Sequence, residues 1–524
     1  MPRKSHLSQT FKHFCKTHPF LSLLITIIIF FRILLPIRGG QFGPDESFFA
    51  LRAYQFFHCV HSPEQMVIDP QKRQVIQDLT QPCGELPLKG LVGRLGFFYG
   101  PYISYILTIL YGLTQFQFFF LFLLTSVLFL MPPLLLAFSL NRVNKHVANR
   151  ETVWTFLLAI TSPLAVKFSL EALWDTPYLM IFATLFVFIF FLTISDKIKL
   201  PFFGLILGTS LASHIQALPF ILGSTLYIFT HIREKRITRI FLFVFFFLLP
   251  LFPYLLSLFF ARNSLSFRFR VVGQENVLPN IVLLLSGIFR FFGMDYPLPA
   301  LSDWLNVSYF LSITFLTICI RLSIFLLTIL FLWRSYQKKE NISPIISLIA
   351  HIIVFYLPLS LITNLSSHPQ EYMMTWWFFP VIAPIVLYHS FRRKIANILL
   401  GIFLVLNILT IILQYTPRLI KGTQLVYPHG PSWWVLQQTS RDLCEIAQTY
   451  RNTFGEPLFV TISQSPPEKN YHTYSFISMI AIRHPDCVSN IRFNERKNDS
   501  QYLILPDKNG LRFTLREIRN SLKE

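Results

Sequence analysis

Long apolar runs separated by short basic loops dominate the chain. Eleven of these runs approach or exceed the roughly 18 residues that a membrane-crossing helix needs. They lie near residues 19–37, 116–140, 152–169, 174–194, 200–212, 216–230, 240–260, 309–333, 343–363, 374–390 and 395–414. This pattern predicts an all-α polytopic membrane protein of about eleven transmembrane helices.

Basic residues give the predicted orientation, because cytoplasmic loops are enriched in Lys and Arg. The N-terminal segment is basic, from Arg3 to Lys16, and contains no acidic residue. We therefore expect a cytoplasmic N-terminus, an uncleaved first span and, after eleven spans, an external C-terminus. The predicted location is the cytoplasmic (inner) membrane, with two long loops, 38–115 and 261–308, on the outer side.

Composition agrees with a membrane protein, since 53% of the residues are hydrophobic and only 14% are charged. The formal net charge of +20 could suggest a nucleic-acid partner. The basic residues instead cluster in the short loops, as the orientation rule for membrane proteins requires. The predicted partners are therefore membrane lipids and no nucleic acid.

Residues 415–524 differ from the membrane part, residues 1–414, because they contain no apolar run long enough to span a bilayer. Residues 432–452 have helical spacing, and Leu458–Ile462 and Tyr502–Leu505 have the composition of short strands. We predict a small external domain of mixed α/β structure after the last span.

Four of the six cysteines lie on the predicted outer side. Cys59 and Cys83 share the first outer loop, and Cys444 and Cys487 share the C-terminal domain. Both pairs are predicted to form disulfides, which persist in oxidising compartments. The alternative is that these cysteines are unpaired apolar side chains.

Potential metal ligands are also present in the first outer loop, namely His58, Cys59, His61, Cys83 and Glu85. They could hold a divalent metal ion, but their spacing matches no standard zinc pattern. No metal and no other cofactor is therefore assigned from the sequence.

An acidic pair follows the first span directly. Gly43 and Pro44 predict a helix start, which places Asp45 and Glu46 in the first turn, where the helix dipole favours ionised carboxylates. A deprotonated carboxylate at a membrane surface can act as a general base. Arg52, seven residues after Asp45, lies on nearly the same helix face and could bind a phosphate. Plain helix capping and a simple surface charge are the alternatives.

The helix predicted over residues 44–57 has apolar positions suited to lying on the membrane surface. Further along the loop, Tyr99 and Tyr102 flank a second Gly-Pro helix start. These tyrosines could form a sugar-stacking wall or part of the aromatic belt at the membrane interface.

The acidic pair also carries a family resemblance. The segment Pro44-Asp45-Glu46, followed by an aromatic residue, Ala50 and Arg52, resembles the GT-C superfamily of membrane glycosyltransferases. The similarity is greatest to bacterial protein O-mannosyltransferase-like and aminoarabinose-transferase-like members. Supporting segments in matching order are Arg32, Tyr99 to Tyr102, Asp175-Thr176-Pro177, Ser213 to Gln216 and Tyr372.

The resemblance implies a GT-C-like fold and an inverting transfer of a hexosyl or pentosyl group. The donor would be a polyprenyl-phosphate-linked sugar, and the acceptor would be lipid A, a polysaccharide or a protein outside the cytoplasmic membrane. The role of catalytic base carries over to Asp45, with Glu46 as its neighbour. The chain lacks the Asp-x-Asp and Trp-Trp-Asp motifs of the metal-dependent oligosaccharyltransferases, so no acceptor is carried over from them.

Further candidates come from residue type and predicted position. The arginines of the second long loop suit the donor phosphate, and polar residues at the outer ends of spans suit the sugar or acceptor. The phosphate group comprises Arg262, Arg268 and Arg270, and the sugar group comprises Tyr99, Tyr102, Glu171, Asp175, His214 and Tyr372. Contacts with lipid headgroups, helix capping and ordinary polar packing are the alternatives.

A second class of function also fits the sequence. A transporter or flippase of a lipid-linked substrate would concentrate polar residues near the membrane midplane, and Arg321 lies near the middle of a predicted span. The long outer loops, the external domain and the acidic pair at the outer surface favour the enzyme.

Overall fold

The computed structural model describes residues 19–517 except for 59–62, 71–72, 74–75, 77–82, 87–100, 144–147, 174–176, 193, 215–216, 232–235, 254, 257–306, 338–343, 363–374, 422–431, 463–470, 495–499, 501 and 507–512. The side chains at some helix ends, including that of Asp45, also lie outside the described part. The predictions on Tyr99, Asp175, Arg262, Arg268, Arg270 and Tyr372 fall outside it as well.

Every predicted apolar segment contains a helix. In chain order the helices are α1 (Pro19–Gly39), α2 (Pro44–His58), α3 (Tyr102–Leu113), α4 (Phe118–Val143), α5 (Ala148–Ile160), α6 (Pro163–Leu170), α7 (Tyr178–Phe191), α8 (Asp196–Ser213), α9 (Leu218–His231), α10 (Arg236–Leu248), α11 (Val307–Gln337), α12 (Pro344–Ile362), α13 (Thr375–Ser390), α14 (Arg393–Lys421), α15 (Trp433–Phe454) and α16 (Tyr471–Arg483). The helices α2 and α3 belong to the first outer loop, and α15 and α16 belong to the C-terminal part.

Several helices have the length and composition of membrane spans. Among the described residues, α1, α4, α11 and α14 each pass this test, and the bent pair of α5 and α6 makes a fifth span if it is counted as one. Five shorter helices, α3, α7, α9, α10 and α13, are also apolar. The chain is thus a multi-pass membrane protein, and the total of eleven spans stays a prediction.

The span predicted over 152–169 as one helix is in fact two helices. The axis bends by 46° between α5 and α6. Pro163 begins α6, and because proline lacks an N–H and restricts the residue before it, α5 cannot continue through this point. Helical periodicity alone did not reveal the break.

Arg32 fills the space beside this break. Its guanidinium donates to the carbonyl oxygens of Ile160 at 3.3 Å, Phe129 at 3.4 Å and Ala165 at 3.0 Å. The Arg32 side chain is therefore buried inside the protein and does not extend toward the membrane surface. The carbonyl of Ile160 at the end of α5 has no backbone N–H from a following helical turn to bond to, and the Arg32 guanidinium supplies a donor instead.

The C-terminal part contains a four-stranded sheet. Its strands are β1 (Leu458–Ile462), β2 (Ile491–Phe493), β3 (Tyr502–Pro506) and β4 (Phe513–Glu517), in the order β2-β1-β3-β4. The central strand β1 pairs in parallel with β2 and β3, and β4 is antiparallel to β3. The mixed α/β prediction is confirmed for the described residues, although α14 continues to Lys421, past the predicted end at 414.

The C-terminal part packs on the first outer loop. Val67 of the loop forms a parallel bridge with Phe493, the last residue of β2. The helix α2 lies between α3 and α16, and the rings of Phe48 and Tyr474 are 5.5 Å apart. The expectation that α2 lies on the membrane is therefore wrong. Its apolar side chains Phe49 and Leu51 are buried against protein, as expected for a helix that is apolar on several sides.

A tryptophan joins the C-terminal part to the first span. The backbone N–H of Trp433 donates to Gly40 at 3.0 Å, and its indole Nε1 donates to Ile37 at 2.9 Å. The indole stacks on the rings of Phe118 and Phe122, at centroid distances of 5.8 and 6.0 Å. Gly40 permits this packing, because a Cβ there would lie 2.2 Å from the Phe122 ring.

Cysteine pairing agrees with the sequence where it can be observed. Cys444 and Cys487 form a disulfide that links α15 to the short 3-10 helix Pro485–Asn490. This confirms the pairing predicted in the C-terminal part. Cys83 is also disulfide-bonded, while its predicted partner Cys59 lies outside the described residues.

The link between Cys444 and Cys487 should stabilise the C-terminal part. Its loop of 43 residues restricts the unfolded chain, so the double change Cys444→Ala and Cys487→Ala should lower the free energy of unfolding by about 2–4 kcal/mol. Thermal unfolding of the protein in detergent measures this loss. Cys319→Ala is the control, because Cys319 is a free thiol. Equal unfolding temperatures for the two variants would contradict the prediction.

Candidate active site at the acidic pair

The acidic pair begins α2, as predicted. Glu46 lies in the first turn and is only 2% exposed. Its Oε2 accepts a hydrogen bond from the backbone N–H of Gly43 at 3.0 Å. Glu46 thus makes a capping contact at the start of its own helix. Asp45 shares this turn, but its side chain lies outside the described part.

A buried tyrosine lies near Glu46, and a second one lies near the first. Burial raises the pKa of the Tyr111 phenol in α3, and the nearby charges of Glu46 and then Tyr178 raise it further. Tyr178 is the first residue of α7. The hydroxyls of both tyrosines and the Oε1 of Gln41 are buried, and among the described residues they have no hydrogen-bond partner.

Unpartnered buried polar atoms are rare in folded proteins, because each one costs about 1–3 kcal/mol. Tyr111 lies within electrostatic range of both Glu46 and Tyr178, so the two buried hydroxyls form a polar group near the carboxylate that can accept hydrogen bonds from a polar ligand or donate to it. Sugar hydroxyls have this chemistry, since each one both donates and accepts.

Glu171 lies beside the same region. The backbone N–H of Gln41 donates to the carbonyl of Leu170 at 2.9 Å, which joins the segment before the acidic pair to the end of α6. Glu171 follows immediately, is fully buried and pairs with Lys167 at 3.8 Å. The structure therefore brings Glu46 and Glu171 to neighbouring segments.

Arg52 is inside the protein and not on an exposed polar face. It is 3% exposed, and burial lowers its pKa from the usual value to about 10. The guanidinium therefore stays charged at neutral pH. The alternative of a simple surface charge is therefore wrong, since α3 and α16 both pack on α2 and the Arg52 side chain is buried.

Tyr102 and His214 occupy other positions. Tyr102 begins α3, and its ring makes an edge-to-face contact with that of Tyr105 at 5.8 Å. Tyr111, the residue close to Glu46, is nine positions later, or about 13 Å along the helix. His214 is buried at the end of α8, where its backbone N–H donates to Ser210. It lies between α8 and α9, as predicted.

Sequence reasoning missed Gln41, Tyr111 and Tyr178. The two tyrosines had a weak signal in the sequence. Tyr111 is a polar aromatic residue within an apolar helix, and Tyr178 directly follows the Asp175-Thr176-Pro177 segment. Apolar periodicity treats a tyrosine as core, so neither could be separated from ordinary packing before the helices were placed together.

The possible metal ligands of the first outer loop do not form a site in the part of the chain that the structure describes. No group of three or more His, Cys, Asp or Glu side chains is close enough there to hold a metal ion. The disulfide of Cys83 also removes one thiolate from the set.

No family profile and no curated protein matches the chain. Among solved structures, it is similar to a cryo-EM structure of the arabinofuranosyltransferase AftD from mycobacteria, with 10% sequence identity and a TM-score of 0.44. The match covers 89% of this chain and 35% of AftD, so the chain spans about a third of the length of that protein. A TM-score of this size does not define a shared fold, and no property of AftD is transferred to this chain.

Proposed function

We propose that this protein is a membrane glycosyltransferase of the GT-C type. It transfers a sugar from a polyprenyl-phosphate donor to an acceptor hydroxyl at the outer face of the cytoplasmic membrane, with inversion at the anomeric carbon. The observation that carries the proposal is the pair of buried hydroxyls of Tyr111 and Tyr178, which have no hydrogen-bond partner among the described residues, with Tyr111 within electrostatic range of Glu46 in the acidic pair. The resemblance of the Pro44-to-Arg52 segment to GT-C enzymes supports it independently.

The proposed chemistry needs few groups. The acceptor oxygen attacks the anomeric carbon, the bond from that carbon to the phosphate oxygen breaks, and a base takes the acceptor proton. Asp45 is the proposed base, since Glu46 already accepts a hydrogen bond from Gly43. The phosphate leaves as an anion, so cations are needed near it. Arg52, Arg262, Arg268 and Arg270 stay the proposed cations.

Arg321, on which the transporter hypothesis depended, packs within the helix bundle. Its guanidinium lies 5.0 Å from the ring centre of Phe379 and 5.7 Å from that of Phe403. Such cation–π contacts stabilise a buried charge without a transported ligand. This packing favours the enzyme over the transporter.

The two functions make opposite predictions for purified protein in detergent. A transferase should form a glycosidic product from a labelled polyprenyl-phosphate sugar and an acceptor extract, because the chemistry needs no membrane barrier. A flippase should form none, but should move the labelled lipid across a vesicle bilayer. Mass spectrometry of the product separates these outcomes, and flipping without transfer would overturn the proposal.

A further inference from the structure

We propose that Arg73, Arg451 and Arg492 form a phosphate-binding site where the first outer loop meets the C-terminal sheet. The proposal does not depend on the transferase activity, because it rests on a different group of residues and is tested by binding. The bound group would be a phosphate on a soluble molecule or glycan, or the phosphate of a lipid headgroup.

Backbone and side-chain contacts bring the three arginines together. Arg73 donates from Nε and Nη2 to the carbonyl of Val67, at 3.1 and 2.9 Å. Val67 forms the bridge with Phe493, and Arg492 directly precedes Phe493 on β2. The arginine of the loop is thus held at the end of the strand that carries Arg492.

The remaining two arginines share a turn. Arg492 donates from Nη1 to the carbonyls of Val488 at 3.3 Å and Ser489 at 3.5 Å. Arg451, from the last turn of α15, donates from its own Nη1 to the Ser489 hydroxyl at 2.7 Å and also to Asn490. Both guanidinium groups are therefore fixed by the same short 3-10 helix.

The three arginines form no ion pair within the described part of the chain. No described carboxylate lies within 4.0 Å of these three guanidinium groups, although exposed Arg441 has such a contact with Asp442 at 3.8 Å. Burial, followed by the charges of Arg73 and Arg451, lowers the pKa of Arg492. Three like charges held this close repel one another, and an anion between them would remove that repulsion.

The available donors suit phosphate. The described bonds of Arg451 and Arg492 all use Nη1, which leaves Nη2 and Nε of each guanidinium, and Arg73 retains Nη1. Guanidinium groups bind phosphate oxygens with paired, charge-assisted hydrogen bonds. Arg73 and Arg451 are exposed and Arg492 is half-buried, so a ligand can reach them from solvent.

This site is separate from the acidic pair. Tyr54, near the C-terminal end of α2, lies within the electrostatic range of Arg483, the last residue of α16, and of Asp486, which belongs to the 3-10 helix that holds Ser489. Glu46 is in the first turn of the same helix, whose 15 residues make it about 22 Å long. The arginine cluster and the candidate active site therefore lie toward opposite ends of α2.

The test uses the full chain in detergent and inorganic phosphate or pyrophosphate as the probe, with thermal stabilisation as the readout. The wild type should be stabilised in a saturable manner. The double variant Arg73→Gln and Arg451→Gln should bind at least tenfold more weakly, since it loses charge-assisted hydrogen bonds from two guanidinium groups. Arg441→Gln, on the same helix as Arg451, is the control and should bind like the wild type.

A second arm distinguishes the source of the phosphate. The same variants are placed in nanodiscs of either anionic or zwitterionic phospholipid, and their unfolding temperatures are compared. If anionic lipid stabilises the wild type but not the double variant, the site binds a lipid headgroup. If only soluble phosphate stabilises the wild type, the site binds the phosphate of a soluble molecule or glycan. If the double variant loses nothing in either arm, the proposal is wrong. The single variant Arg451→Gln repeats both arms should the double variant fail to fold.

Discussion

Asp45→Asn should abolish most of the sugar transfer while leaving the protein folded and inserted. Asparagine has nearly the same shape as aspartate and can still cap a helix, but it cannot take a proton from the acceptor. Loss of a general base typically lowers the rate by a factor of 10² to 10⁴. Initial rates with a labelled polyprenyl-phosphate sugar, normalised to the amount of folded protein, measure the effect.

Two carboxylates serve as comparisons for this variant. Glu85→Gln removes an exposed carboxylate from the same outer loop and should leave the rate unchanged. Glu46→Gln keeps an oxygen that can accept the Gly43 hydrogen bond, so it should cost some stability but less than tenfold in rate. If Glu46→Gln removed activity and Asp45→Asn did not, the base would be Glu46.

Helix positions were predictable from the sequence, because apolar runs and basic loops reflect the bilayer directly. Every predicted span contains a helix, and the strands Leu458–Ile462 and Tyr502–Leu505 were placed correctly to within one residue. The break at Pro163 was missed, although proline gives a recognisable signal, because the apolar pattern continues across it.

Contacts between distant segments could not be predicted in the same way. The helix predicted over residues 44–57 was expected to lie on the membrane, since an apolar helix face at a span end is equally suited to lipid and to protein. Only the placement of α16 against α2 decides between them. The same limit applies to Tyr111 and Tyr178, whose relation to Glu46 depends on helices more than 60 positions apart in the chain.

Trp433 illustrates how such a distant contact can be tested. Its indole packs between the C-terminal part and the outer end of the first span and is 3% exposed, whereas the neighbouring Trp434 is 51% exposed. Trp433→Ala should lower the free energy of unfolding by about 3–5 kcal/mol, as expected for a buried aromatic truncated to alanine. Trp434→Ala, a matched change one position along, should cost less than about 1 kcal/mol.

Trp433→Ala should also affect the acidic pair. Trp433 bonds to Ile37 and Gly40, and the chain reaches Asp45 only five residues after Gly40. Trp433→Ala should therefore lower the transfer rate as well as the free energy of unfolding. Trp433→Phe keeps the ring stacking but loses the indole N–H, so both of its values should lie between those of the wild type and Trp433→Ala. Thermal unfolding in detergent and initial transfer rates measure the two effects. Equal losses for Trp433→Ala and Trp434→Ala would show that the indole does not hold the C-terminal part to the first span.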